Sequence, residues 1–204
     1  MARVLPKCGI YAFISRKNQP QVFALDPLVN VYFLSNLSQG FYLISSKKRN
    51  GARILVSGYA RFWGVRGSIP TPAPVGTSAV KVGGNTSCIE LSFSKDSIFI
   101  LDAGTGIRAL GLDLLSRPNK PKHIHLFITH THWDHVQGFP FFVPAYIPGT
   151  EITIYGAELV SNNLETVLRG QQAFEFFPVA LNQMAGNISF RPLATNDDLI
   201  VEGV

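Results

Sequence analysis

The rhythm of apolar and polar positions changes near residue 59 of this 204-residue chain. Before it, short runs at 9–14, 29–34 and 41–44 are rich in aromatic and β-branched residues, which predicts strands rather than helices. After it, strands are expected at 60–65, 87–93, 97–101, 123–128 and 151–155. One helix follows Gly106, with apolar Ile107, Leu110, Leu112, Leu114 and Leu115, and is stopped by Pro118. A second is expected over 158–168, and a hairpin joins 188–193 to 199–201 around Asn196-Asp197-Asp198. The run 123–128 is nearly all apolar at its centre, as in a strand buried on both faces. Strands alternating with helices make an α/β protein.

Composition adds that the chain folds and carries a real core, at 46% hydrophobic and 15% charged residues. Charge divides it as the rhythm does. Residues 1–58 hold eight Lys and Arg against one acid, Asp26, whereas the rest holds ten basic and twelve acidic residues. Residues 1–58 therefore read as a basic, β-rich or unstructured extension, and 59–204 as the domain proper. The overall net charge of +5 alone is no nucleic-acid signature, since nothing gathers those charges on one folded surface. The stretch 27–46 lacks charge and precedes Lys47-Lys48-Arg49, but its Asn30, Ser35, Asn36, Ser38 and Gln39 argue against a membrane span. Two cysteines, Cys8 and Cys88, make no disulfide scaffold, and a reducing, cytoplasmic compartment is the simplest expectation.

The chemistry lies after the strand at 123–128. Three of the five histidines fall in His130-Thr131-His132-Trp133-Asp134-His135, beside a carboxylate. Imidazole and carboxylate in one loop are the donor mixture that zinc takes, and the carboxyl end of a buried strand is where α/β sheets keep their sites. His123 and His125 alternate along the strand and share one face, and are read as packed strand residues. Gly104-Thr105-Gly106 lacks the third glycine of a dinucleotide fingerprint and is a strand-to-helix turn. Trp133, Phe139, Phe141, Phe142 and Tyr146 either wall a substrate pocket or belong to the core, the commoner fate of clustered aromatics. Arg66 and the Gly83-Gly84 backbone are candidates to meet a phosphate. Asp102, at the end of the adjacent strand, is either the hydrogen-bond partner behind a ligand N–H or a turn-capping aspartate.

The H-x-H-x-D-H motif resembles that of the metallo-β-lactamase fold. Phe62 to Pro70 (FWGVRGSIP), Gly83 to Cys88 (GGNTSC), Leu101 to Arg108 (LDAGTGIR) and Gly138 to Phe142 (GFPFF) are similar to the phosphodiesterase-like branch, with ribonuclease Z and the cyclic-nucleotide phosphodiesterases. The resemblance runs from about residue 59 to the last. It implies an αββα sandwich holding two divalent metal ions, zinc first and manganese or iron as alternatives. His130 and His132 would bind the first ion, Asp134 and His135 the second, with Asp134 also a catalytic residue orienting the water. The implied reaction is hydrolysis of a phosphodiester bond, in a small molecule or an RNA end, through a metal-bound hydroxide. The resemblance also implies later histidines and a bridging aspartate, yet no histidine follows His135. Asp197, Asp198 and Glu202 are the substitutes on offer. The expectation is thus a partial sandwich lacking the C-terminal part of the fold. The alternative is a truncated or degenerate chain without catalysis, a fragment or binding module whose open sheet favours association, a homodimer included.

Overall fold

The computed structural model of the chain describes residues 21–26, 29–36, 40–49, 52–72, 83–94 and 96–193, over 21–57 and 158–163 as backbone alone. The chain divides into two compact units, Met1–Ala60 and Arg61–Val204. In the first, β1 (Gln21–Asp26), β2 (Val29–Asn36), β3 (Gly40–Arg49) and the first part of β4 (Ala52–Gly64) form an antiparallel meander. The strands expected at 29–34 and 41–44 lie inside β2 and β3, β1 had no forecast, and 9–14 lies outside the described residues. Extended backbone replaces a spanning helix across 29–36 and 40–49, and among the described residues no helix is long and apolar enough to cross a membrane.

The second unit takes up the end of β4 and continues through β5 (Cys88–Ser92), β6 (Ser97–Leu101), β7 (His123–Ile128), β8 (Glu151–Ala157) and β9 (Asn187–Leu193), neighbours in that order. β5 runs antiparallel to β6, as the turn between them requires, and β6 to β9 are parallel. Parallel neighbours need crossovers. These are α1 (Gly106–Ser116), a connection through the short α2 (Trp133–Val136), and α3 (Glu158–Gln171). β9 pairs with β8 by such a crossover; its expected hairpin partner lies outside the described residues. α1 ends at Ser116 because the residue before Pro118 takes an extended backbone (Arg117 ψ 138°).

Alternation along the strands decides what each face buries. Ile98 and Ile100, Ile124, Leu126 and Ile128, and Ile152 and Ile154 point to one face. There they pack with Ile107, Leu110 and Leu114 of α1, Leu164 and Leu168 of α3, and Phe139 and Phe142. Each such side chain contributes about 1.5–3 kcal/mol relative to exposure. Leu112, one of the apolar positions expected on α1, is turned out to solvent by the helical period. On the other face Phe99 stacks on His125 and Phe127 on Tyr155, with ring centroids 5.1 and 4.5 Å apart, each pair directly opposite in register. His125 Nδ1 lies 3.1 Å from the Tyr155 hydroxyl, so it is a packed strand residue, while His123 on the same side is exposed. The described residues of the second unit form two layers, helices on one face of a sheet, where the resemblance implies four.

Glu90 of β5 is a charge inside this unit. Its fully buried carboxylate takes Nη1 and Nη2 of Arg117 at 2.7 and 3.0 Å and Trp63 Nε1 at 2.8 Å. Arg117 also reaches Asp113, whose side chain is partly exposed, at 2.6 Å. Removing one partner of a buried pair strands the other charge and costs about 3–5 kcal/mol. Arg117→Ala is therefore expected to lower stability by about that much and Asp113→Ala by about 1 kcal/mol or less. Urea denaturation of both variants checks this, and equal shifts would contradict it.

Candidate metal centre

β6 and β7 are parallel neighbours, so their carboxyl ends deliver Asp102 and the segment from Thr129 to one place. Asp102 sits at φ 63°, a left-handed conformation that Asp tolerates better than most residues. Its N–H bonds Phe127 O at 2.8 Å, and the next N–H, of Ala103, bonds His135 O at 2.7 Å. That turn aims the carboxylate inward, where it is buried and accepts four hydrogen bonds. Oδ1 takes the Thr129 N–H at 2.9 Å and its hydroxyl at 2.8 Å; Oδ2 takes the Ser87 hydroxyl at 3.1 Å and His135 Nδ1 at 2.7 Å. Four acceptor sites are about all a carboxylate has. The carboxylate thus meets the His135 ring and also holds the Thr129 backbone at the strand end, features of both roles the sequence left open for Asp102.

The rest of the loop is tied to the same strand end. Gly138 N–H bonds Ala103 O at 2.8 Å, and Gln171 of α3 donates its amide to Val136 O at 3.0 Å. Gly104 passes so close that an added Cβ would stand 2.3 Å from Asp134 O and 2.7 Å from Ser87 O, both main-chain atoms. Thr86 and Thr105 exchange bonds from backbone N–H to side-chain hydroxyl at 2.9 and 2.8 Å, fixing the GGNTSC segment to the start of α1.

Within this frame the ring of His130 lies 4.6 Å from that of His132 and 3.9 Å from that of His135. Asp134 Oδ2 stands 3.5 Å from His135 Nε2 and accepts the backbone N–H of Ser68 at 2.7 Å. Ser68 is itself left-handed, at φ 66°, so the loop after β4 is bent to present that N–H. Burial opposes ionisation of Asp134, but the Ser68 N–H and the neighbouring imidazoles hold its carboxyl below the ordinary range. Burial likewise opposes charge on His135, and the hydrogen bond and charge of Asp102 overcome it, raising the imidazole above its ordinary value. His130 is lowered by burial, then by His135 and His132. In kind, three imidazoles and a carboxylate suit a divalent ion. Among the described residues, however, no group of three or more His, Cys, Asp or Glu is arranged to hold one.

The other sequence candidates separate. Phe139 and Phe142 are core; Trp133 and Phe141 are exposed, at 64% and 51%; Tyr146 is half-buried with its hydroxyl on Pro140 O at 2.5 Å. The Arg66 guanidinium turns to Gly83 O at 3.4 Å, so the two phosphate candidates bond each other. Cys88 is buried, and burial with the charges of Asp102 and Glu90 pushes its thiol well above the ordinary range, which suits packing rather than reaction. Asp197, Asp198 and Glu202 lie outside the described residues. Thr129, Ser87 and Ser68 were missed from the sequence. Thr129 adjoins His130 at a strand end, which is a signal; nothing local marks the Ser68 N–H.

No family model matches the chain. It is similar to Ribonuclease Z of Bacillus subtilis, 28% identical over 146 residues, which are 70% of this chain and 43% of that protein. It is also similar to Ribonuclease Z of Limosilactobacillus fermentum, 28% identical over 102 residues (48% and 32%), and of Lacticaseibacillus casei, 31% over 94 residues (45% and 29%). The chain thus spans about a third of the length of these relatives, 29–43%. The likeness supports the metallo-β-lactamase superfamily without singling out a branch.

Gly104→Ala is expected to push α2 and the histidine loop off the strand end and to cost about 1–3 kcal/mol, the range for overpacking. Gly170→Ala, where an added Cβ meets open space on α3, is expected to be neutral or to stabilise by up to about 1 kcal/mol. Thermal unfolding of both variants gives the comparison, and a Gly104→Ala protein as stable as the parent would refute the close packing.

Proposed function

We propose that residues 59–204 contribute the His130–His135 half of a divalent-metal centre in a hydrolase of phosphodiester bonds, with an RNA end as the leading substrate class and a small phosphodiester as the other. The observation that carries this reading is the gathering of three imidazoles and Asp134 at the ends of β6 and β7 around the buried Asp102. Similarity to Ribonuclease Z supports the substrate class. In this reading His130 and His132 serve one ion and Asp134 and His135 a second, zinc first and manganese or iron as alternatives. The chemistry such ions supply when bound is polarisation of a phosphoryl oxygen and acidification of a water.

The chain's own residues do the rest. Asp102 holds His135 by Nδ1, which leaves Nε2 as the open nitrogen on the side of Asp134. The Ser68 N–H holds Asp134 through Oδ2 and so fixes the direction in which that carboxylate meets the attacking water. The exposed rings of Trp133, the first residue of α2, and Phe141, beyond its end, offer stacking surfaces to a base. A second reading rests on the incomplete donor group among the described residues: a chain that does not turn over by itself and acts as a binding module or joins a second copy.

Turnover of bis-nitrophenyl phosphate by the purified chain with added Zn²⁺ or Mn²⁺ separates them. Hydrolysis that falls by at least about 100-fold in His132→Ala, the loss typical of removing a group that stabilises the transition state, is the expected result. No turnover above the variant's background with either metal would overturn the hydrolase reading for this chain.

A further inference from the structure

The Thr129 hydroxyl stands between three partners: Asp102 Oδ1 at 2.8 Å, His130 Nδ1 at 3.1 Å and, more remotely, His135 Nδ1 at 3.4 Å. A hydroxyl has one proton, and a carboxylate oxygen has only lone pairs to offer. At 2.8 Å from Asp102 the proton must lie on the line to Oδ1, since two lone pairs at that distance repel. The hydroxyl oxygen is then an acceptor toward His130, and the hydrogen between them belongs to Nδ1 of the imidazole. His135 is fixed in the same sense by direct donation from Nδ1 to Asp102 Oδ2 at 2.7 Å.

We infer that Thr129 is a positioning residue that transmits the Asp102 carboxylate to His130, so that one buried acid sets the tautomer of two imidazoles, one directly and one through a hydroxyl. Both rings then carry hydrogen on Nδ1 and keep the Nε2 lone pair for a cation. Free histidine prefers hydrogen on Nε2, the arrangement that would cap that nitrogen, so Thr129 works against the intrinsic preference. The backbone N–H of Thr129 also bonds Asp102 Oδ1, at 2.9 Å, and survives any change of side chain. Thr129→Val therefore removes the relay while leaving the backbone anchor of Asp102 in place. The proposal rests on the metal-centre reading only for its consequence, because the tautomer exists without an ion.

The experiment is two-bond ¹H–¹⁵N correlation of the histidine rings in the metal-free chain, at a pH well above the imidazole range, for the parent, Thr129→Val and Thr129→Ser. In the parent, His130 and His135 are expected in the Nδ1–H pattern. Thr129→Val is expected to move His130 to the Nε2–H pattern with His135 unchanged, and Thr129→Ser to restore the parent spectrum. A parent His130 already in the Nε2–H form, or a His130 indifferent to Val, would overturn the inference. Loss of the pattern at both rings in Val, with Ser giving no rescue, would mean collapse of the loop and would equally overturn it. Zn²⁺ titration of the same samples by calorimetry reads the consequence, with weaker binding expected for Val than for Ser. Correct tautomers with no Zn²⁺ binding in any sample would sink the metal reading and leave the relay standing.

Discussion

A buried carboxylate with every acceptor site filled is the constraint on which the rest of the site depends. Asp102 takes bonds from Ser87, from the backbone and hydroxyl of Thr129 and from His135, residues 15, 27 and 33 positions away from it. An acid in that position is tolerable only while those partners stay, because an unpaired buried charge is costly. The same bonds that make burial affordable also fix the end of β7 and the ring of His135. Packing and site geometry are therefore one problem here: a change that loosens the loop exposes Asp102, and a change at Asp102 releases the loop.

The sheet makes this economy possible. Parallel pairing of β6 with β7 brings both carboxyl ends to one edge, and β6 ends in a departure from regular extension that re-aims a side chain. Asp102 adopts a left-handed backbone, and its neighbour Ala103 bonds the backbone of His135. Gly104 then lets the 134–138 turn lie against it without a side chain between. The helices on one face hold the strands through Ile107, Leu110, Leu164 and Leu168, so the edge is backed by a rigid core rather than by a free loop.

Much of this was legible in the sequence because it is local. Short, nearly continuous apolar runs matched β6 and β7 to the residue, and Pro118 and Gly106 bounded α1. The clustered donors from His130 to His135 stand out by spacing alone. What was hidden depends on contacts between distant segments. Glu90 reads as a polar position on a strand until Arg117 and Trp63 close on it from elsewhere. Phe139 and Phe141 are near neighbours with the same side chain, yet one is core and the other exposed, which a short 3₁₀ turn decides and periodicity does not. Ser68 contributes a backbone N–H, which carries no side-chain signature at all.

The most direct measurement is a crystal structure of the chain grown with Zn²⁺, with the ion located by its anomalous scattering at the zinc edge. The account predicts anomalous density at the His130–His135 loop, with one ion bonded through Nε2 of His130 and another through Nε2 of His135, each at about 2.0–2.1 Å, and Asp102 still on the Nδ1 side. Zinc bonded through the Nδ1 atoms, or absent from the loop while the fold is intact, would contradict it.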